Sequence, residues 1–413
     1  MSSQNKNLRN EGFFQKDRVT CRVCNERQLE PLWDLGNLYL TGSFPENGLD
    51  TPQAQLHVGQ CLSCTTVQLM HDYSTSVFFG PEYGYRSGLN RSMVAHLTEM
   101  VAEAEKYTQL SKGDVVIDIG GNDGTALSKY SSGVKKILVD PTANNWKEYI
   151  GSDIEIVSDF FKGKSQIPGE SAQLVTSASM LYDLECPVEF IQDIWSVLKP
   201  GGYWLTEQSD LQMMLGQNSF DTICHEHLEY YSRDVVVSMA CRAGFQLHNE
   251  SVNHANGGTR RFIFRKLETL DARSSRPSSD LTQRTLENQR RAFLKLKSFV
   301  SELKESFFSL AGRDQNVIHG LGASTKGNTI LQVLGVSTAQ VKVIAEVNPR
   351  KFGKQTPGTC IPIVSEEESL ELGPSHYFVL PWHFKPEFDK NWRNYKGCTA
   401  VYPLPSFQNF AGK

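Results

Sequence analysis

The stretch Val115–Leu127, V-V-I-D-I-G-G-N-D-G-T-A-L, constrains the fold of this chain more than any other. It opens with an apolar run of the kind that a parallel sheet buries on both faces. Gly120, Gly121 and Gly124 follow at once, letting backbone come close to a bound molecule. From Ala126 the pattern predicts a helix. Strand, glycine turn and helix make the first unit of a doubly wound α/β fold of Rossmann type, whose ligands sit at the C-terminal ends of the strands.

The turn departs from the G-x-G-x-x-G spacing of a dinucleotide site and carries an acid, Asp118, just before the glycines. A pyrophosphate is disfavoured beside that carboxylate, whereas a cationic or amine-bearing ligand is favoured. S-adenosylmethionine (SAM) has both a sulfonium and an ammonium group. Gly120, Gly121 and Asn122 of the turn are the expected cradle. About 20 residues after the glycines, the place from which a carboxylate can accept both ribose hydroxyls, the strand Lys136–Asp140 ends in Asp140. Farther on, Asp159 is a candidate acceptor for an adenine amine and Phe160 a flanking aromatic. The strand Leu174–Ala178 ends at Ser179 and Asp183, again on the ligand edge. A Rossmann fold that binds another nucleotide is the alternative at this point.

At 413 residues the chain is too long for one ordinary core, so two or three domains are expected. No apolar run has the length of a membrane span, and the polar N-terminus lacks a signal peptide's apolar core, so the cytoplasm is the expected compartment. A net charge of −4 and a pI near 6.2 argue against nucleic acid as a partner.

Of the nine cysteines, four form two C-x-x-C pairs, Cys21/Cys24 and Cys61/Cys64. Two such knuckles predict one closed, structural four-cysteine zinc site, with a short β-rich module between the pairs. A closed site has no open position, and no chemistry is assigned to it.

The loop Gly80–Gly88 places Tyr83 and Tyr85 one glycine apart, either as packing plugs or as groups that meet a ligand, and a helix is expected from Asn90. Strands and helices then alternate to Phe264. Within that region Asn218–Ser232 concentrates Cys224, His225, Glu226 and His227. A zincin places its histidines four apart on a helix, and these are two apart. Near a SAM pocket they better suit proton abstraction, an imidazole with a pKa near 6.5 being poised at neutral pH and a carboxylate orienting it. Arg260 and Arg261 either meet a diphosphate or face water. A polar boundary at Ala272–Asp280 precedes a long charged helix over about 281–310. A second strand-and-glycine turn, N-V-I-H-G-L-G-A-S-T-K-G-N over Asn316–Asn328, predicts a second Rossmann-like domain, either a ligand site or a packing unit.

The order of two C-x-x-C pairs, Y-G-Y-R-S-G, I-D-I-G-G-N-D-G-T, K-P-G-G, F-D-T-I-C-H-E-H, N-G-G-T-R, G-L-G-A-S-T-K-G, V-N-P-R-K-F-G and P-G-T-C-I-P resembles the three-domain SAM-dependent C-methyltransferases of deoxysugar biosynthesis, over nearly the whole chain. The resemblance implies a zinc-binding domain over 1–76, a SAM domain over 77–268, and over 269–413 a Rossmann-like domain that closes on a nucleotide-linked keto sugar. It implies His227 as base, Glu226 as its partner, and Tyr83 or Tyr85 as the tyrosine reaching the sugar. His225 is the other candidate base. Two positions depart: the family has Tyr where this chain has Cys224, and His where it has Asp183. Both fall where substrate is expected, suggesting a subgroup acting on a different keto sugar or another carbon acid. The other readings are an O- or N-methyltransferase of a small metabolite, an RNA methyltransferase, which the acidic pI disfavours, and a catalytically decayed binding protein. A monomer or weak homo-oligomer is expected.

Overall fold

The computed structural model describes residues 15–73, 78–79, 83–268, 279–395 and 397–411. Most of the boundary segment expected at Ala272–Asp280 therefore lies outside the described residues.

The apolar run Val115–Ile119 is an interior strand of a seven-stranded sheet. Lys135–Val139 and then Ile154–Val157 lie on one side of it, and Ala172–Ala178, Leu198–Ser209, Thr259–Lys266 and Phe245–Asn253 on the other. All neighbouring pairs are parallel except those made by Thr259–Lys266, which is antiparallel to both its neighbours. The register sets Asp118 beside Leu138 on one flank and Thr176 on the other, so the acid enters the sheet between an apolar group and a hydroxyl. The alternation of strands and helices is as expected, with one correction. No α-helix follows the first glycine turn; Leu127–Lys129 forms a single 3₁₀ turn instead. The next strand begins at Lys135, and Ser131, Ser132 and Gly133 occupy the short connection, leaving too little chain for a helix. The helix expected from Asn90 is present as Arg91–Thr108, its N-terminus capped by the Asn90 side chain accepting from Ser92 N.

The module between the cysteine pairs is β-rich, as expected from the two knuckles. Leu29–Tyr39, Gln53–Cys61 and Val67–Leu69 form an antiparallel sheet, and a fourth strand, Glu229–Tyr230, is contributed by the H-E-H region of the central domain.

The C-terminal sheet runs Ile363–Ser365, Val341–Glu346, Ile318–Leu321, His376–Val379, Thr399–Tyr402, Gln408–Ala411, parallel but for the last strand. This is the second Rossmann-like unit expected from the glycine turn. Ser324 caps the helix Thr325–Leu334 by accepting from Gly327 N at 3.0 Å. The long helix is Ser279–Ala311, and Leu286, Phe293, Leu296, Val300, Leu303, Phe307 and Leu310 recur along it at helical spacing, all buried. Most of that stripe lies in one apolar core that contains residues of both the zinc module and the C-terminal sheet. The helix also pins the module directly: Arg290 meets Glu30 at 2.7 Å and Gln289 Nε2 donates to the Thr65 carbonyl oxygen.

Arg260 and Arg261 take neither expected role. Arg260 Nε is 2.7 Å from Asp210 Oδ2, and Arg261 is buried with Nε 2.8 Å from Glu207 Oε2 and NH1 on Glu103. Glu207 also contacts His96 Nε2 at 2.5 Å and Asn253 Nδ2 at 3.1 Å, tying helix, sheet and edge strand together. An Arg261→Ala substitution takes the guanidinium away from both Glu103 and Glu207. It should cost about 3–5 kcal/mol in urea unfolding, the range for breaking one partner out of a buried pair; a loss under about 1 kcal/mol would mean that water already screens the site.

Candidate functional site

The four Sγ atoms of Cys21, Cys24, Cys61 and Cys64 lie within 4.8 Å of one another, two of them on the buried residues Cys21 and Cys61. Cys21–Cys64 and Cys24–Cys61 separations are both 3.5 Å. Thiolates about 2.3 Å from a tetrahedral zinc are spaced by nearly that distance, so the donor set fits the metal. The remaining cysteines stand apart from it.

The glycine turn is held from below and from above. Below it Asp140, just past the end of Lys135–Val139, accepts from Asn122 N at 2.8 Å on Oδ2 and from Thr142 N and Oγ1, both at 2.6 Å, on Oδ1. A carboxylate has about four lone-pair sites, so room for one more donor, such as a ribose hydroxyl, remains. Above it Asn122, at φ 55°, accepts from Ser87 N and donates to the Tyr85 carbonyl oxygen, while Asp123 accepts from Gly88 N. These bonds bring the tyrosine loop over the turn. Gly120 has φ 71°, and a Cβ there would stand 3.0 Å from Met180; one at Gly121 would stand 2.4 Å from Asp118 and 2.5 Å from Leu138. The backbone therefore comes closer to its neighbours than any side chain allows.

Asp118 lies beneath this turn, not on the open face that its sequence position suggested. It is 2% exposed, its Oδ1 accepts from Thr176 Oγ1 at 2.6 Å, and Oδ2 has no partner among the described residues. Burial pushes its carboxyl up to about 7, Thr176 pulling down and Asp140 adding to the rise. An ammonium group settled over the turn supplies the charge that such an orphaned oxygen lacks, so the turn, Asp118 and Asp140 fit SAM. At the neighbouring strand ends Asp159 is already engaged, by Lys162 Nζ at 2.5 Å and by Phe160 N, while the Phe160 ring is 43% exposed. Ser179 sits in left-handed backbone at φ 55°, with its N–H on the Glu207 carbonyl oxygen.

The loop that carries Cys224–His227 is fixed at each residue. His227 Nδ1 donates to the Thr222 carbonyl oxygen at 2.7 Å, which leaves the Nε2 lone pair free. Its ring stands edge-on to Tyr182, centroids 4.5 Å apart. Burial pushes the imidazole down to about 4, so it is neutral and able to accept a proton at pH 7. Glu226 is reached by the Thr41 hydroxyl at 3.4 Å and abuts Gly42, where a Cβ would stand 2.5 Å from its Oε1. Burial raises its carboxyl. The two departures from the family pattern converge here. Asp183 is raised well above the carboxylate range by burial, Glu226 and Glu229, and the buried Cys224 thiol by burial and Glu226. Tyr83 lies on the same side, its phenol raised by burial and by Tyr85 and Asp183.

His225 is set apart from this group. It is fully buried, turned toward the zinc module, with Nε2 on the Ala54 carbonyl oxygen at 3.0 Å and its ring edge-on to Tyr73. It is built as a docking pin. Thr41, Thr222 and Lys326 carried no expectation of their own, although Lys326 stands inside the G-A-S-T-K-G motif and Thr222 inside F-D-T-I-C-H-E-H.

Three domain families match in chain order: a putative zinc binding domain over residues 21–79, a methyltransferase domain over 85–250 and a C-methyltransferase C-terminal domain over 256–405. The C-methyltransferase NovU of Streptomyces niveus is 24% identical over 404 residues, spanning 93% of this chain and 95% of that protein. Among solved structures, the complex of the Haloferax volcanii Trm112 methyltransferase activator with a putative methyltransferase aligns over 44% of this chain and 95% of that one, at 15% identity and a TM-score of 0.37. Haemonchus contortus phosphoethanolamine N-methyltransferase 2 with SAM aligns over 48% and 63%, at 11% identity and a TM-score of 0.35.

Metal analysis should find one zinc per chain, and a Cys61→Ser variant should lose most of it. Full occupancy in that variant would contradict the four-cysteine assignment. His225 makes a second prediction. Its imidazole is pushed down to about 4 by burial, so between about 6.5 and 4 the unfolded chain binds the proton that the folded chain refuses. Stability is therefore complete above about 6.5 and falls as pH drops through that window, by up to about 3 kcal/mol from this residue. A His225→Gln variant should flatten the slope of urea midpoint against pH, and an unchanged slope would place the titration elsewhere.

Proposed function

The chain is a three-domain SAM-dependent C-methyltransferase, and from that premise we propose that it methylates a carbon next to the ketone of a nucleotide-linked keto-deoxysugar. The observation that carries this reading is the His227 tautomer: a neutral imidazole with Nδ1 tied to backbone and Nε2 unengaged is a base set to take a proton. A carbon acid needs such a base. The division into 1–76, 77–268 and 269–413 belongs to the same reading.

SAM, when bound, supplies the methyl group as an electrophile. Gly120, Gly121 and Asn122 would cradle it, with Asp118 beneath the turn to favour its ammonium group, Asp140 to hold the ribose and Phe160 to flank the adenine; Ser179 lines the same strand edge. Asp159, held by Lys162 and Phe160 N, keeps a lone pair with which it would accept from an adenine amine. Tyr83 and Tyr85 close the sugar side, where the tyrosine loop overhangs the glycine turn. His227 Nε2 removes the proton beside the ketone, and the enolate carbon then takes the methyl in line. Proton abstraction by a positioned base is worth about 10²–10⁴-fold, and holding the two carbons about 3–3.5 Å apart contributes the rest. Glu226, expected as the partner of His227, turns its carboxyl to Thr41, and it is the Thr222 carbonyl oxygen that positions the imidazole. Asp183 and Cys224, both pushed toward their protonated forms by burial, stand toward the sugar oxygens in place of the family's histidine and tyrosine. They mark a different keto sugar as the acceptor.

Solvent deuterium should exchange into the keto substrate at the methylated position when demethylated cofactor replaces SAM, since deprotonation precedes transfer. His227→Ala should abolish that exchange and leave SAM binding intact. Exchange that survives there but vanishes in His225→Ala moves the base to the docking histidine. Calorimetry of Asp140→Ala should show at least about a tenfold loss of SAM affinity, the worth of a charge-assisted bond. Unchanged affinity puts the ribose elsewhere.

A further inference from the structure

We propose that Lys326, carried in by the C-terminal domain, is the catalytic cation that stabilises the enolate oxygen while His227 removes the carbon proton. This rests on the keto-sugar reading above. Lys326 stands in the first turn of Thr325–Leu334, and that helix packs against Phe220–Thr222. Thr222 is the residue whose carbonyl oxygen holds His227. Asn328 donates from the same end of the helix to the Thr41 carbonyl oxygen at 2.8 Å, and the Thr41 hydroxyl reaches Glu226. On the far side Trp382 Nε1 donates to Asp221 Oδ2 at 2.8 Å. The helix start is therefore locked to the catalytic loop from several directions, and Lys326 cannot be remote from it.

Its ammonium group is only partly used. One N–H goes to the Asn256 carbonyl oxygen at 2.6 Å, and among the described residues no carboxylate lies within 4.0 Å of it. Three donors are available, so two remain. The ionisable groups that feel it are Asp221, His383 and His227. Asp221 is fully buried, with Oδ1 unpartnered and its carboxyl raised by burial; His383 is pushed down to about 3 by burial and by Lys326 itself. Neither provides a firm counter-charge. Around His227 the other polar groups are Glu226 on its own loop and, lining a small adjoining cavity, Tyr182, Asp210, Glu229 and Tyr230. Asp210 is paired with Arg260, and Glu229 lies 3.6 Å from Arg22. Lys326 is the cation left for a developing anion.

The chemistry needs one. A base of weak proton affinity takes a carbon proton only if the resulting negative charge is stabilised elsewhere. As His227 Nε2 gains the proton, the C–H electron pair becomes the enolate double bond and the carbonyl π pair moves to oxygen, where Lys326 donates. The enolate carbon then bonds to the methyl, whose former bond pair stays on the cofactor's sulfur, and the ketone reforms.

The test measures solvent deuterium exchange into a nucleotide-linked 4-keto-6-deoxyhexose, across pH, with full-length zinc-loaded enzyme and demethylated cofactor. Lys326→Met and Lys326→Gln should each lower the plateau rate about 10²-fold, the low end for loss of an oxyanion donor, with KM little changed. Their acid limb should move to higher pH, because without the cation His227 protonates more readily. Lys326→Arg should keep most of the rate. Recovery in Lys326→Gln, which can still donate to Asn256, would show a docking role and overturn the proposal even if Lys326→Met misfolds. A raised KM with the plateau kept would also overturn it, by making Lys326 an anchor for the substrate's phosphates. No exchange above background in the unsubstituted enzyme sinks the keto-sugar reading and the Lys326 role with it, whereas exchange that is kept in full by Lys326→Gln and Lys326→Met but lost in His227→Ala sinks the Lys326 role alone.

Discussion

The loop Phe220–Tyr230 is held by every part of the chain, and the candidate site exists only because of that. The zinc module takes Glu229–Tyr230 as a strand and His225 as a pin. The C-terminal domain takes Asp221 through Trp382, and Thr41, itself held by Asn328, reaches Glu226. A loop rich in buried acids and imidazoles loses water on all sides, and each of its polar groups must find a partner or change its protonation. That constraint explains in one step why Glu226 and Asp183 are raised and His227 lowered. The four-cysteine cluster stands in the module whose Ala54 and Thr41 reach this loop.

The glycine turn and the loop are joined by a second, simpler constraint. Asp140 below and the Ser87–Gly88 backbone above hold Asn122 and Asp123, so the glycine turn and the tyrosine loop are bonded to each other. The C-terminal domain repeats the lower half of this device: Glu346, at the end of Val341–Glu346, accepts from Ala323 N in its own glycine turn and from Val347 N and Asn348 N. Lys351 stands 3.7 Å away. There the acid is spent on its own backbone and a lysine, which agrees with a turn that presents Lys326 to a neighbouring domain more than it cradles a nucleotide.

Local pattern made much of this legible. The apolar run before Gly120, the long charged helix near 281–310, the helix start near Asn90 and the paired C-x-x-C knuckles each depend on residues close in sequence, and each is found in the structure. The helix expected after Ala126 failed because chain length, not propensity, decided there. Arg260 and Arg261 could not be read correctly, since Glu103, Glu207 and Asp210 reach them only through the folded sheet. The same holds for the separation of His225 from His227. Two residues apart on one loop, they face different domains, and nothing in H-E-H says which one turns inward. The shared core of zinc module and C-terminal domain was equally invisible, because it is built by residues hundreds of positions apart.

The central claim is that three domains place one neutral imidazole against a substrate carbon. A crystal structure with demethylated cofactor and a nucleotide-linked keto sugar bound together tests it most directly. The account predicts the carbon beside the ketone within reach of His227 Nε2 and about 3–3.5 Å from where the transferred methyl would lie. A sugar hydroxyl at that position instead, with the carbon turned away from His227, would contradict it.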